Sequence, residues 1–138
     1  MNKYKFDEIK IGMQEEFKVE ITPENMKRFG YMTGDVNPLH NDENYAFKYG
    51  YNKCVGYGML TASYLSTLAG IYLPGEKSLI QSVEINFIKP VLIGDILIVK
   101  GEVINKNNLF HVITIKTTII NSKKEKVVRG KMQVGVLE

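Results

Sequence analysis

The sequence predicts an α+β fold in which a curved antiparallel sheet wraps around one buried central helix. Three observations predict it. Residues Cys54 to Gly75 contain no charged side chain. Four later segments alternate apolar and polar residues between short polar turns, the period of half-buried strands. Ahead of the uncharged stretch there is one alternating segment, followed by start and stop signals for two small helices. A helix that is apolar all round must be covered on most sides, and a curved sheet can cover it.

The elements follow in order. Phe17, Val19 and Ile21 alternate with Glu16, Lys18 and Glu20, which reads as a first strand over 16–21. Thr22-Pro23-Glu24-Asn25 then starts a helix, with Thr22 as N-cap and Pro23 at the first position. Met26, Phe29 and Met32 or Thr33 supply its apolar stripe, and Gly34 is placed to end it. Asn41-Asp42 can cap a second short helix carrying Tyr45, Ala46 and Tyr49, closed by Gly50. The uncharged stretch has the length of a membrane span, but its glycines, Pro74 and hydroxyl side chains make it too polar for one. Residues 79–89, 96–104, 109–120 and 126–136 then predict four strands in an antiparallel meander. Val83, Ile85 and Phe87 share a face, as do Leu97, Val99, Gly101 and Val103. So do Ile113, Ile115, Thr117 and Ile119, and finally Val128, Met132, Val134 and Val136. His111 falls in phase with inward positions of its strand and reads as structural.

The 138 residues suit one domain, 1–138, with ordinary globular composition. A net charge of +3 is compatible with an anionic small ligand. It comes without the clustered basic face and interleaved aromatics of a nucleic-acid binder. Lys123, Lys124 and Lys126 read as a solvated hairpin tip. The first residues carry no apolar run of a secretory signal, and the one cysteine, Cys54, excludes an intrachain disulfide. Both features predict a cytoplasmic protein, with Cys54 as a small buried hydrophobe.

Chemistry concentrates in Gly34-Asp35-Val36-Asn37-Pro38-Leu39-His40. The proline fixes its own φ and restricts Asn37, so Asp35 and His40 can project from a stiff loop toward a common point. An imidazole beside a carboxylate is a general acid–base pair, because the ring titrates near neutrality. Asn37 reads as a brace of that loop and is also a candidate substrate-binding residue. A second feature is Gly56-Tyr57-Gly58 at the opening of the uncharged helix. Gly58 offers a backbone N–H with no side chain in the way, at the positive end of the helix dipole.

These residues are similar to a known family. Gly34 through Asp42, then Gly58-Met59-Leu60-Thr61-Ala62-Ser63, then Phe87-Ile88-Lys89-Pro90-Val91-Leu92-Ile93-Gly94-Asp95 resemble the MaoC-like hydratases, which include the (R)-specific enoyl-CoA hydratases. The resemblance runs from about Phe6 to Val136. It implies a hot-dog fold and a homodimer with sheets joined edge to edge. It also implies an acyl-CoA or acyl carrier protein thioester held near the dimer interface. By the same resemblance Asp35 and His40 form the catalytic pair, Gly58 lies at the thioester carbonyl, and Ser66 lies near the pair as a candidate substrate-binding residue. The alternative reading of Ser66 is a helix hydroxyl bonded back to its own turn. The chain departs from the family at Tyr57, where histidine is usual, which bears on the geometry of the carbonyl site.

Water addition to an enoyl thioester needs a base for water, an acid for C2 and a donor for the developing enolate. Asp35, His40 and Gly58 match those needs without a cofactor or metal. Two other functions compete with hydration. Hot-dog folds also host thioesterases, many with a carboxylate on the central helix, and Cys54 to Gly75 has none. A non-catalytic acyl-CoA-binding partner subunit could dispense with the pair that this chain keeps.

Overall fold

The computed structural model describes residues 1–138. A 3₁₀ turn at Phe6–Glu8 precedes β1 (Gln14–Glu20), α1 (Pro23–Thr33), α2 (Pro38–Asn41), α3 (Glu43–Lys48) and α4 (Gly58–Thr67). Then come β2 (Ser78–Phe87), β3 (Ile96–Asn107), β4 (Val112–Ile120) and β5 (Lys126–Val136). The strands form one antiparallel sheet in the order β1-β3-β4-β5-β2. Only β3, β4 and β5 make a meander. The expectation of a four-strand meander is corrected, since β2 pairs with β5, Phe87 opposite Val128.

The cause lies in residues 88–95. Pro90 has no N–H for a ladder, and Val91 is buried. The Gly94–Asp95 turn does not fold β3 back on β2. Gly94 N donates to Ile21 O at 2.7 Å and Ile21 N to Asp95 O at 2.9 Å, which delivers β3 beside β1.

The concave face collects the inward positions predicted for β3, β4 and β5, whereas Val83 and Phe87, predicted to share an apolar face with Ile85, are exposed on the edge strand β2. Leu97, Val99, Val103, Ile113, Ile115, Thr117, Ile119, Met132 and Val134 are all fully buried. Onto them α4 lays Leu60, Thr61 and Leu65, and a π-helical turn (Leu68–Tyr72) adds Leu68 and Ala69. Each such large apolar side chain contributes roughly 1.5–3 kcal/mol on burial. A curved sheet around one helix is the hot-dog fold.

Coverage of that helix is incomplete. Met59 is 63% exposed, and Ser63 and Ser66 are also exposed. Alongside, the edge strand β2 exposes Leu79, Val83 and Phe87. The opposite edge, β1, alternates Glu16, Lys18 and Glu20 into solvent, which blunts it against pairing. No helix is long and apolar enough to cross a membrane.

Candidate active site

The loop after α1 is built from local hydrogen bonds. Thr22 Oγ1 accepts from Asn25 N at 3.1 Å, and Pro23 follows at the first helical position. Gly34 closes α1 with φ 76, its N–H donating to Gly30 O at 2.9 Å. A left-handed residue there lets the chain leave the helix sharply. The apolar stripe of α1 is shorter than expected. Met26 is buried and Phe29 half-buried, whereas Met32 is 77% exposed and Thr33 exposed, because α1 meets the core only through its first turns.

Asp35 N donates to Thr33 Oγ1 at 3.3 Å, and Asp35 Oδ1 accepts from Asn37 N at 3.0 Å. Asn37 Oδ1 in turn accepts from Leu39 N at 3.0 Å, so Asn37-Pro38 begins α2 rather than forming a free turn. Asn37 is thereby the brace its turn chemistry suggested. Asp42 Oδ1 accepts from Tyr45 N at 3.1 Å and starts α3.

His40 closes α2 and is half-buried. Its Nδ1 lies 2.7 Å from Val55 O. A carbonyl only accepts, so Nδ1 carries the proton and the neutral ring keeps its lone pair on Nε2. Val55 is itself pinned. Its N–H donates to Leu39 O at 3.1 Å, and Gly56 N donates to Val91 O at 2.6 Å. One residue further, Tyr57 is 4% exposed. Its hydroxyl donates to Asp35 O at 2.7 Å, and its ring lies 4.1 Å from that of His40. Gly58 then opens α4, and the first N–H groups of a helix have no acceptor inside it.

Three cavities meet at His40. One of about 520 Å³ is lined by Asp35, His40, Gly58 and Phe87 among others. A second, about 300 Å³, runs past Gly58 and Thr61 toward Val91. The third, about 530 Å³, lies between α1 and the 35–43 segment, against Met26, Cys54 and Ile93. The fold thus brings Asp35, His40 and Gly58 to one cavity. An acceptor nitrogen, a carboxylate and a helix N-terminus sharing one space can move a proton and stabilise an oxyanion.

Ser66 is placed elsewhere. It is exposed on the open flank of α4, eight residues past Gly58 and so roughly 12 Å along the axis, and lines none of these cavities. His111 is not on a strand, contrary to expectation. It occupies the β3–β4 turn with φ 49, stacked on Phe6 at 4.5 Å. Cys54 is buried as expected, and burial, aided by nearby Glu43 and Asp42, pushes its thiol above the ordinary value.

Two polar groups of the site lay outside the sequence argument. The Val55 carbonyl is a backbone atom, which no residue type announces. The Tyr57 hydroxyl was visible only as a departure from a familiar pattern, without its target.

Residues 6–125 match the family described as MaoC like domain. A 3-hydroxybutyryl-CoA dehydratase of Methylorubrum extorquens is 37% identical over 98 residues, which cover 71% of this chain and 62% of that protein. An (R)-specific enoyl-CoA hydratase of Aeromonas caviae is 27% identical over 126 residues, covering 91% of this chain and 94% of the relative. The chain therefore spans less than two thirds of the first relative and nearly all of the second. The unliganded R-hydratase PhaJ1 from Pseudomonas aeruginosa has a TM-score of 0.91 at 27% identity, covering 96% of this chain and 85% of that one.

Proposed function

The chain belongs to the MaoC like domain family, and from that premise we propose that it is an (R)-specific enoyl-CoA hydratase. In reverse it is a 3-hydroxyacyl-CoA dehydratase. The observation that carries the proposal is the single cavity lined by Asp35, His40 and Gly58. In this reading a water lies between Asp35 and the free Nε2 of His40. As its oxygen attacks C3 of the trans-2-enoyl thioester, the pair takes one proton from water and returns one to C2. Charge developing on the thioester oxygen meets the N–H groups at the start of α4, where one such donor is worth roughly 3–4 kcal/mol in other enzymes. No cofactor enters the reaction; the thioester is the substrate, on CoA or an acyl carrier protein.

The protein also acts as a homodimer in this reading. Of the two sheet edges, β2 exposes Leu79, Val83 and Phe87 with Glu84 as its one exposed charge, next to the open flank of α4, whereas β1 exposes Glu16, Lys18 and Glu20. Phe87 lines two of the cavities at His40, so pairing along β2 would also wall the site.

Crotonyl-CoA tests the proposal. Loss of enoyl absorbance without release of free thiol is the expected result, with the product oxidised by an R-specific 3-hydroxyacyl dehydrogenase. Thiol release would identify a thioesterase instead, and an S product would overturn the assigned stereochemistry.

A further inference from the structure

We propose that Tyr57 is a positioning residue that holds Asp35 and His40 from one buried side chain, and that residue 30 is glycine to admit its hydroxyl. This rests on the reading of Asp35 and His40 given above.

Asp35 makes two other hydrogen bonds, to Thr33 Oγ1 and from Asn37 N, both within its own exposed turn. The bond from Tyr57 Oη to its carbonyl is the one that ties Asp35 to a distant part of the chain. Its direction is unambiguous, because a carbonyl oxygen only accepts. Burial, with the Asp35 charge nearby, pushes the phenol above its ordinary value, so the donor proton stays in place. The same ring meets His40 at 4.1 Å and 33° on one side and Phe29 at 5.0 Å and 47° on the other. Tyr57 also immediately precedes Gly58, so three parts of the site share one anchor: the carboxylate loop, the imidazole and the helix N-terminus.

Gly30 supplies an independent observation. A Cβ on residue 30 would stand 2.7 Å from Tyr57 Oη, well inside contact distance. The next atoms are the Asp35 carbonyl at 3.4 Å and Tyr57 Cζ at 3.6 Å, both ordinary contacts. The hydroxyl alone therefore excludes a side chain there. Glycine inside a helix is unfavourable relative to alanine, and α1 carries it where the hydroxyl passes.

Steady-state kinetics on crotonyl-CoA with Tyr57→Phe, Gly30→Ala and the double variant test the coupling. Tyr57→Phe keeps the ring and should lower kcat about tenfold, with KM changed less than about twofold; a misplacement of about 1 Å can cost about 10²-fold. Gly30→Ala should lower kcat at least as much. In the double variant the methyl has room, so its kcat should equal that of Tyr57→Phe instead of multiplying the two losses. Full activity of Tyr57→Phe, or a double variant with multiplied losses, overturns the proposal. Backbone NMR separates this from the activity itself. If the wild-type protein does not hydrate crotonyl-CoA, the proposed function fails. The positioning role is then decided by the Asp35 to Asn37 amides. They should shift and broaden in Tyr57→Phe, and unmoved signals overturn it.

Discussion

The two histidines of this chain have similar surroundings and opposite exposure to chemistry. Each is half-buried, and each lies against an aromatic ring, His40 on Tyr57 at 4.1 Å and His111 on Phe6 at 4.5 Å. The difference is what lies beside each ring. His40 has Nδ1 2.7 Å from a backbone carbonyl and lines all three cavities of the site. His111 has Nδ1 3.5 Å from Glu138 Oε2, while Glu138 Oε1 accepts from Phe6 N at 2.7 Å. Lys106 Nζ closes the same corner, donating to Phe6 O and Ile9 O and lying 4.3 Å from the Phe6 ring. At His111 the neighbours tie the chain ends to the sheet, and the ring lines none of the cavities at His40. At His40 one neighbour orients the ring and space is left for a reactant. Stacking and burial thus do not separate the two rings; the cavities that His40 lines and His111 does not are what separates them.

The largest effects expected are those that break the His40 side. His40→Ala and Asp35→Asn should each lower kcat on crotonyl-CoA by at least about 10²-fold, as for losing a positioned acid or base. The double variant should be little worse than either, because groups that act together are not additive. His111→Ala should leave kcat unchanged. Near-normal turnover by His40→Ala would erase the contrast.

Gly58→Val comes next. A Cβ at residue 58 would meet the Phe87 ring at 3.2 Å, at the wall of the cavity shared with His40. Phe87 is 51% exposed and has room to give, so the variant should fold with an unchanged circular dichroism spectrum. Its apparent affinity for the thioester should fall at least about tenfold, as expected when a positioned donor is blocked. Unchanged binding by calorimetry would remove α4 from the site.

Whether the His40 side is completed by a second copy can be read by light scattering. A dimer is expected at micromolar concentration, and Val83→Lys on the apolar edge should shift it to monomer with reduced activity. A stable wild-type monomer would refute the edge pairing.

On the His111 side the effects should be small and confined to stability. Removing one aromatic stack of about 1 kcal/mol by His111→Ala should lower Tm by roughly 2–8 °C. His111→Asn should cost less, because asparagine tolerates the left-handed backbone at φ 49. A drop in kcat with Tm intact would reverse the roles assigned to the two rings. The smallest effect concerns Cys54, near the His40 cavities. Burial raises its pKa, so at pH 8 the folded protein should react with a thiol reagent far more slowly than the unfolded chain.

By itself the sequence determined most of the elements and the inward faces of β3, β4 and β5. The period-2 runs put Leu97, Val99, Val103, Ile113, Ile115, Ile119, Met132 and Val134 inside, because one pleated face must leave water. Thr22, Pro23 and Gly34 bounded α1 for local reasons that hold wherever the helix packs. The Asp35–His40 segment was equally legible, since its geometry comes from hydrogen bonds spanning two or three residues. Tertiary structure alone decided the rest. Strand order was hidden because β2 and β5 have the same alternation that β2 and β3 would need, and only the long-range bonds of Gly94 and Ile21 choose between them. The open flank of α4, uncharged like its buried face, was hidden because composition does not say which neighbours a single chain provides. The role of Tyr57 was hidden for the same reason. Its hydroxyl meets the carbonyl of Asp35, 22 residues away, through contacts that exist only once α1, α2 and α4 are packed together.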